Sequence, residues 1–450
     1  MSAAPDPSAE YLPLAMGDPG RVLAVQPAGD IDLATFVRHV HGVAALLPEG
    51  EHAINLCEDR YRFLVGFCAV ALRGQVTLLP PSRAPAMVED VRCRYPRTWC
   101  LSDAAVDADP AEVVVMPDEL PEADGPIPFV HPAQLVVIGF TSGSTGTPSA
   151  NAKTWGAFVA STGQNLAALR DLWGDALPGI VATVPPQHMY GMELSVLFPL
   201  LAPARIHAGR PFFPEDVATA LAQTPAPRLL VTTPVHLRAL VNSGVELPPL
   251  AGIVTATAPL QQELAAAAEQ RFATEVREMF GSTETCIFAR RRTARDTAWT
   301  LLPGVRLQPH ADGTAVLAPH LATPVVLADL MEPSADGTSF TLLGRRADLL
   351  EIAGKRASLG DLTRRVLAIE GVEDAALVQL QPEPGHMVGR LAALVVAPTL
   401  DEAQILQALR PAMDPVFLPR PLRKIDALPR NETGKLPRDQ LLALLALLRD

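Results

Sequence analysis

The chain has 450 residues, enough for two or three domains, and its 48% hydrophobic and 19% charged content belongs to a well-cored globular protein rather than a disordered one. A net charge of −12 works against general nucleic-acid binding, which needs a positive field to release counterions. No run of about 18 uninterrupted apolar residues occurs, and the N-terminus has neither a basic start nor an apolar core, so a cytoplasmic protein with no membrane span is expected.

In chain order, apolar residues at helical spacing over 31–47 predict a helix, and residues 53–56 read as a short strand. Residues 68–72 continue a helix that Gly74 stops, and 75–79 form another strand. The apolar segments 112–116 and 135–139 extend this βαβ rhythm, which implies a sheet covered by helices. The five cysteines, Cys57, Cys68, Cys93, Cys100 and Cys286, are odd in number and form no C-x-x-C pair, so reduced structural thiols are expected.

Next comes FTSGSTGTPSANAK, residues 140–153. Gly143 and Gly146 open backbone conformations that let successive N–H groups face one concavity, and Thr141, Ser142, Ser144 and Thr145 add hydroxyl donors. Such a loop suits an anion, above all a polyphosphate. It is not a P-loop, because only two residues separate its glycines and Thr147-Pro148 follows where Gly-Lys would stand. Taken alone, an ordinary surface turn explains it equally well.

After a helix over 154–172, three strands, 180–184, 228–232 and 252–255, each open into a helix, and in open α/β sheets that edge binds ligands. His188, Tyr190, Gly191 and Met192 follow the first strand, Thr233 and Pro234 the second, and Thr257, Ala258 and Pro259 the third. Phe280 to Thr285, FGSTET, place a hydroxyl and a carboxylate side by side at Thr283 and Glu284. Beyond residue 345 a smaller α+β pattern runs to LPRNETGKLPR, residues 428–438.

Taken in order, these segments resemble the motifs of the adenylate-forming superfamily of acyl-CoA synthetases, adenylation domains and luciferases. The loop matches [YF]-T-S-G-[ST]-T-G-x-P-K except that Ser149 replaces the lysine, with Lys153 four residues on. Either Lys153 reaches back to the phosphates or the loop works through backbone and hydroxyls alone. TATAPL at 255–260 is similar to the segment that lies against adenine, and Phe280–Glu284 to [YF]-G-x-T-E. Asp329 stands where the family's ribose-binding aspartate does, Arg345 at its nucleotide-contacting arginine, Ala347 at its hinge, and Lys435 at the catalytic lysine.

The resemblance implies an α/β N-terminal core, residues 1–345, that binds ATP and a carboxylate, and a small mobile α+β domain, residues 346–450, that carries Lys435. It implies an AMP-forming ligase in which Thr283 contacts the α-phosphate and Glu284 holds Mg2+, a hard cation suited to oxygen ligands. His188, Tyr190, Gly191, Met192, Thr233, Pro234 and Ala258 are then candidate lining for the acid. Compact length, Lys153 and Trp155 make the chain look like the stand-alone ligases of bacterial aryl-polyene and xanthomonadin-type pigment clusters, which load a hydroxybenzoate on acyl carrier protein. The basic residues Arg420, Arg423, Lys424 and Arg430 suit an acidic carrier, or the phosphates of coenzyme A. A degenerate nucleotide-binding protein is a further reading, motivated by Ser149 and Ala347.

Overall fold

The computed structural model describes residues 10–104, 113–141, 149–345, 349–352, 355–380, 390–430, 436 and 438–448. The chain divides into two compact units, Met1–Arg306 with Leu317–Val325 and Leu307–Val316 with Val326–Asp450.

The larger unit holds two principal sheets. In the first, His52–Asn55, Val76–Leu79, Thr98–Ser102 and Val113–Val115 run parallel to β1 (Leu135–Thr141), and β2 (Ser149–Thr154) pairs antiparallel with β1 at the edge. The sequence of β1, LVVIGFT, is a continuous apolar run because both faces of this strand are covered. Asp32 and Asp59 start the helices Leu33–Leu46 and Arg60–Leu72 by accepting from the amides of Thr35 and Arg62, at 2.7 and 2.8 Å. The second of these helices is buried almost all round, which fits its apolar sequence from Phe63 onward.

In the second sheet, β3 (Gly179–Ala182), β4 (Arg228–Thr232), β5 (Gly252–Thr255) and β6 (Val276–Ser282) are parallel neighbours in that order. Beyond β6, β7 (Cys286–Arg291) returns antiparallel. Helices Pro214–Gln223, Pro234–Ser243 and Gln262–Phe272 cover one face, packing Leu221, Leu237, Leu240, Leu264 and Ala268 onto Val181, Leu230 and Ile253. The predicted 154–172 helix is observed as α1 (Trp155–Leu169) with a 3-10 turn Arg170–Leu172. Thr154 supplies its cap, accepting from Ala157 N at 3.3 Å.

The smaller unit contains the strands Asp374–Gln379, Leu391–Val396 and Leu422–Lys424 with helices Leu359–Leu367, Glu402–Ala412 and Arg438–Leu447. Its core gathers Val366, Leu377, Ala393, Val395, Ile405 and Leu409. Together these elements give the α/β class with a smaller α+β unit that the sequence implied. No helix among the described residues is long and apolar enough to cross a membrane.

Two of the four basic residues noted near the C-terminus are committed within this unit. Arg430 donates to Asp374 from Nε and Nη2, at 2.8 and 2.7 Å, and Arg423 pairs with Glu402 at 3.4 Å. Their charge is therefore offset locally.

Candidate active site

Because β3, β4, β5 and β6 are adjacent and parallel, the segments that follow them fall along one sheet edge. His188 to Met192 follow β3, Thr233-Pro234 follow β4, Thr257 to Pro259 follow β5, and Thr283-Glu284 follow β6. Strand order thus collects residues scattered over almost a hundred positions of sequence.

Thr283 and Glu284 sit in the tight turn joining β6 to β7, where Ser282 and Cys286 form the last paired residues. The turn is closed by reciprocal bonds between Ser282 and Thr285: Ser282 N donates to Thr285 Oγ1 at 3.0 Å, and Thr285 N to Ser282 Oγ at 3.2 Å. On the neighbouring sheet, a Cβ built on Gly139 of β1 would lie 2.9 Å from Thr283 Cγ2, so the turn approaches as closely as it does because residue 139 has no side chain. The Thr141 hydroxyl, at the end of β1, reaches Glu284 Oε1 at 3.3 Å and is 2.6 Å from Ser149 Oγ. Residues 142–148, which include Ser142, Gly143, Ser144, Thr145 and Gly146, lie outside the described residues.

Lys153, which one sequence reading sends to the phosphates, is only 5% exposed and donates from Nζ to the Glu284 carbonyl at 2.6 Å. Strand alternation on β2 turns it inward, beneath the turn. Beside it lies Glu193, a residue that sequence reasoning passed over. Its carboxylate accepts from Ile287 N at 3.1 Å to both oxygens, from Ser161 Oγ at 2.9 Å and from Asn165 Nδ2 at 3.2 Å. Burial pushes the Glu193 carboxyl up, against the pull of these donors and of Lys153. A lone carboxylate within the apolar run MELSVLFPLL was the available signal. His320 Nε2 adds a bond to Thr285 O at 2.6 Å. Between these anchors Cys286 adopts φ +56°, and burial pushes its thiol up to about 12, which fits an inert cysteine.

The acid-side candidates divide by what their polar atoms already do. His188 caps the short helix Met189–Met192, Nδ1 accepting from Tyr190 N at 3.3 Å. Tyr190 Oη donates to Val254 O at 2.9 Å, and burial raises the phenol well above its ordinary value, so it is a neutral donor occupied within the protein. Gly191 is pressed against the chain: a Cβ there would lie 2.0 Å from Pro185 O. Met192 is fully buried. Thr233 caps Pro234–Ser243 by accepting from His236 N at 3.3 Å, with Pro234 at the first helical position, and Ala258 is half-exposed. Arg60, also unforeseen, is fully buried and donates to Ala182 O and Val184 O at 2.9 and 2.8 Å, holding the chain where β3 ends; burial lowers its guanidinium to about 9.

Thr257 has φ +82°, a costly conformation for a β-branched residue, in the segment expected to face adenine. In the smaller unit, Asp329 and Arg345 are directly opposed partners in the antiparallel pair Asp329–Pro333 and Ser339–Arg345. Lys435 lies outside the described residues.

Comparison with known proteins gives concordant results. A 4-coumarate–CoA ligase from Halorhodospira halophila is 30% identical over 310 residues, covering 66% of this chain and 73% of that one. ATP-bound MatB from Rhodopseudomonas palustris has the same fold, with a TM-score of 0.80 at 20% identity over 97% of each chain. O-succinylbenzoate coenzyme A synthetase from Bacillus subtilis in complex with AMP also shares the fold, with a TM-score of 0.80 at 16% identity over 96% of this chain and 98% of that one. The family model for the AMP-binding enzyme matches residues 49–325, a span that contains β1 through β7 and every turn at their ends, and the chain belongs to that family.

Proposed function

We propose that the chain activates a small carboxylic acid, in the first place a hydroxybenzoate, as an acyl adenylate and then passes the acyl group to a thiol. The observation that carries this reading is the Thr141–Glu284 contact at 3.3 Å, which joins the end of the glycine-loop strand to the Thr-Glu turn at the ligand edge of the second sheet. In the first step a carboxylate oxygen bonds to the α-phosphorus of ATP, the bond to the α,β-bridging oxygen breaks, and pyrophosphate leaves. In the second, a thiolate bonds to the acyl carbon and AMP leaves with the electron pair.

The residues divide this work. Backbone amides and hydroxyls of 141–146 hold the β- and γ-phosphates, and Thr283 donates to the α-phosphate. Thr257, Ala258 and Pro259 bring backbone close to the adenine, Asp329 accepts from the ribose hydroxyls, and Arg345 contacts the nucleotide. Lys435 bridges the incoming carboxylate and the α-phosphate, offsetting charge that grows as the bond forms. The boundary for this division of labour falls after residue 345, with the hinge at Ala347.

Glu284 fits Mg2+: it is a hard oxygen donor, half-exposed, and among the described residues its Oε2 has no hydrogen-bond partner. When bound there, Mg2+ offsets phosphate charge.

For the acceptor we favour the phosphopantetheine thiol of an acyl carrier protein, with Arg420 and Lys424 as its basic footing. Free coenzyme A is the second reading, favoured by the named activity of the Halorhodospira halophila relative. ATP–pyrophosphate exchange with benzoate, 3- and 4-hydroxybenzoate, cinnamates and short fatty acids tests the first step. Exchange with one hydroxybenzoate well above the rest is expected; ATP binding with silence across the panel would instead support a degenerate nucleotide-binding protein. Thioester formation with holo carrier protein against coenzyme A then decides the acceptor.

A further inference from the structure

We infer that Lys153 and Glu193 are two buried positioning residues that fix the Thr283–Glu284 turn from beneath, so that Lys153 acts through Glu284 rather than on phosphate. The inference rests on the reading of Glu284 as the Mg2+-holding carboxylate.

The geometry is specific to the turn's backbone. Lys153 Nζ takes the carbonyl of residue 284 at 2.6 Å, and Glu193 takes the amide of residue 287 with both oxygens at 3.1 Å. The two side chains come from different elements, β2 and the π-helical segment Glu193–Leu197, and they are 5% and 2% exposed. Between their attachment points Cys286 holds φ +56°, a conformation that persists only where its surroundings over-determine it. Ser161 and Asn165, both on α1, keep the Glu193 carboxylate in place from the far side.

A buried ionisable side chain gives little stability, because desolvation offsets most of what its hydrogen bonds gain and apolar replacement is often neutral. Two ionisable side chains buried under one turn, bonded to backbone atoms on either side of a strained residue, are better explained by orientation. What they orient is the Glu284 side chain, whose Oε1 already meets Thr141 at 3.3 Å. Ser149, at the position where the resembling families carry lysine, is bonded sideways to Thr141, and the nearest lysine in sequence has been drawn inside.

Calorimetric titration of the full chain with ATP, with and without Mg2+, tests this on Lys153→Met, Glu193→Gln, Glu284→Gln and the double variant Lys153→Met/Glu284→Gln. Lys153→Met is expected to lose about tenfold of the affinity that Mg2+ adds, the scale of one hydrogen bond to a charged group, and to leave Mg2+-free ATP affinity within about twofold. The double variant should be no weaker than Glu284→Gln, because residues acting through one another are not additive. Lys153→Arg, which keeps the donor, should recover most of the loss. An equal drop in Mg2+-free affinity, or additive losses in the double variant, would show the lysine on phosphate and overturn the pair. If Glu284→Gln itself leaves the Mg2+ effect whole, the Glu284 reading fails as well. Should Lys153→Met not fold, Glu193→Gln, which preserves shape, carries the same expectation.

Discussion

Thr141 and Glu284 stand 143 residues apart in the chain and meet side chain to side chain, the threonine hydroxyl donating to Oε1 at 3.3 Å, with the Ser149 hydroxyl 2.6 Å behind it. One proton per hydroxyl lets the three groups form a directed chain, Ser149 to Thr141 to Glu284. Glu284→Gln should cut pyrophosphate exchange by about 100-fold or more, the scale of losing one group that stabilises transition-state charge. Thr141→Val should cost about tenfold by leaving Glu284 unoriented. Initial-rate exchange assays across a Mg2+ series check both, and an unimpaired Glu284→Gln would remove Glu284 from the reaction.

Lys435→Ala should abolish adenylate formation while the protein stays folded and binds ATP. Exchange assays beside thermal melts and ATP titration separate these readouts, and near-normal exchange would withdraw the role given to the lysine.

Tyr190→Phe should act on stability rather than on the acid. It removes the side-chain bond to Val254 O at 2.9 Å, a net cost of about 0.5–1.5 kcal/mol for one hydrogen bond, since Val254 lies in a strand paired on both sides. Urea unfolding reads that loss, and KM for the acid should stay within about twofold; a large KM change with unchanged stability would mean that the hydroxyl faces substrate.

At Thr257 a glycine relieves φ +82°. Thr257→Gly should hold or raise stability by up to about 1 kcal/mol after its own entropic cost, and should weaken ATP binding by loosening the segment. Denaturant midpoints and ATP titration test the two signs together.

The Arg277 guanidinium, bonded to both Asp171 oxygens at 2.7 and 2.9 Å, holds that carboxyl below its ordinary range. A depressed carboxyl contributes stability that is present above the unfolded value of about 3.9 and is lost as pH falls through the folded value. Asp171 is largely exposed, so the contribution should stay under about 1 kcal/mol. Asp171→Asn should therefore lower stability slightly at neutral pH and flatten its decline below pH about 4, as followed by thermal melts across a pH series.

What the sequence made legible follows from range of interaction. The strands at 180–184, 228–232 and 252–255 are announced by local apolar runs, so the order of the segments that follow them is legible from the sequence. The polar layer beneath them is not, since Glu193, Ser161, Asn165, Lys153 and His320 are brought together only by packing. Lys153 shows the difference: four residues from the expected lysine position by count, it is placed by strand alternation, which turns it into the core. Tyr190 likewise reads as pocket lining from its neighbours, yet its hydroxyl is taken by a carbonyl 64 residues away.

The π-helical stretch Glu193–Leu197 encloses one residue more in each hydrogen-bonded loop than the α-helical segments either side of it, Met189–Met192 and Phe198–Leu201. Deleting a single residue there would restore ordinary winding and leave the flanking segments in phase, because that extra residue is what the wide turn accommodates. What would be lost is the placement of Glu193, whose carboxylate meets Ile287 N from within the wide turn. Chains one residue shorter in this segment should thus keep the helix and hold their Thr-Glu turn by some other means.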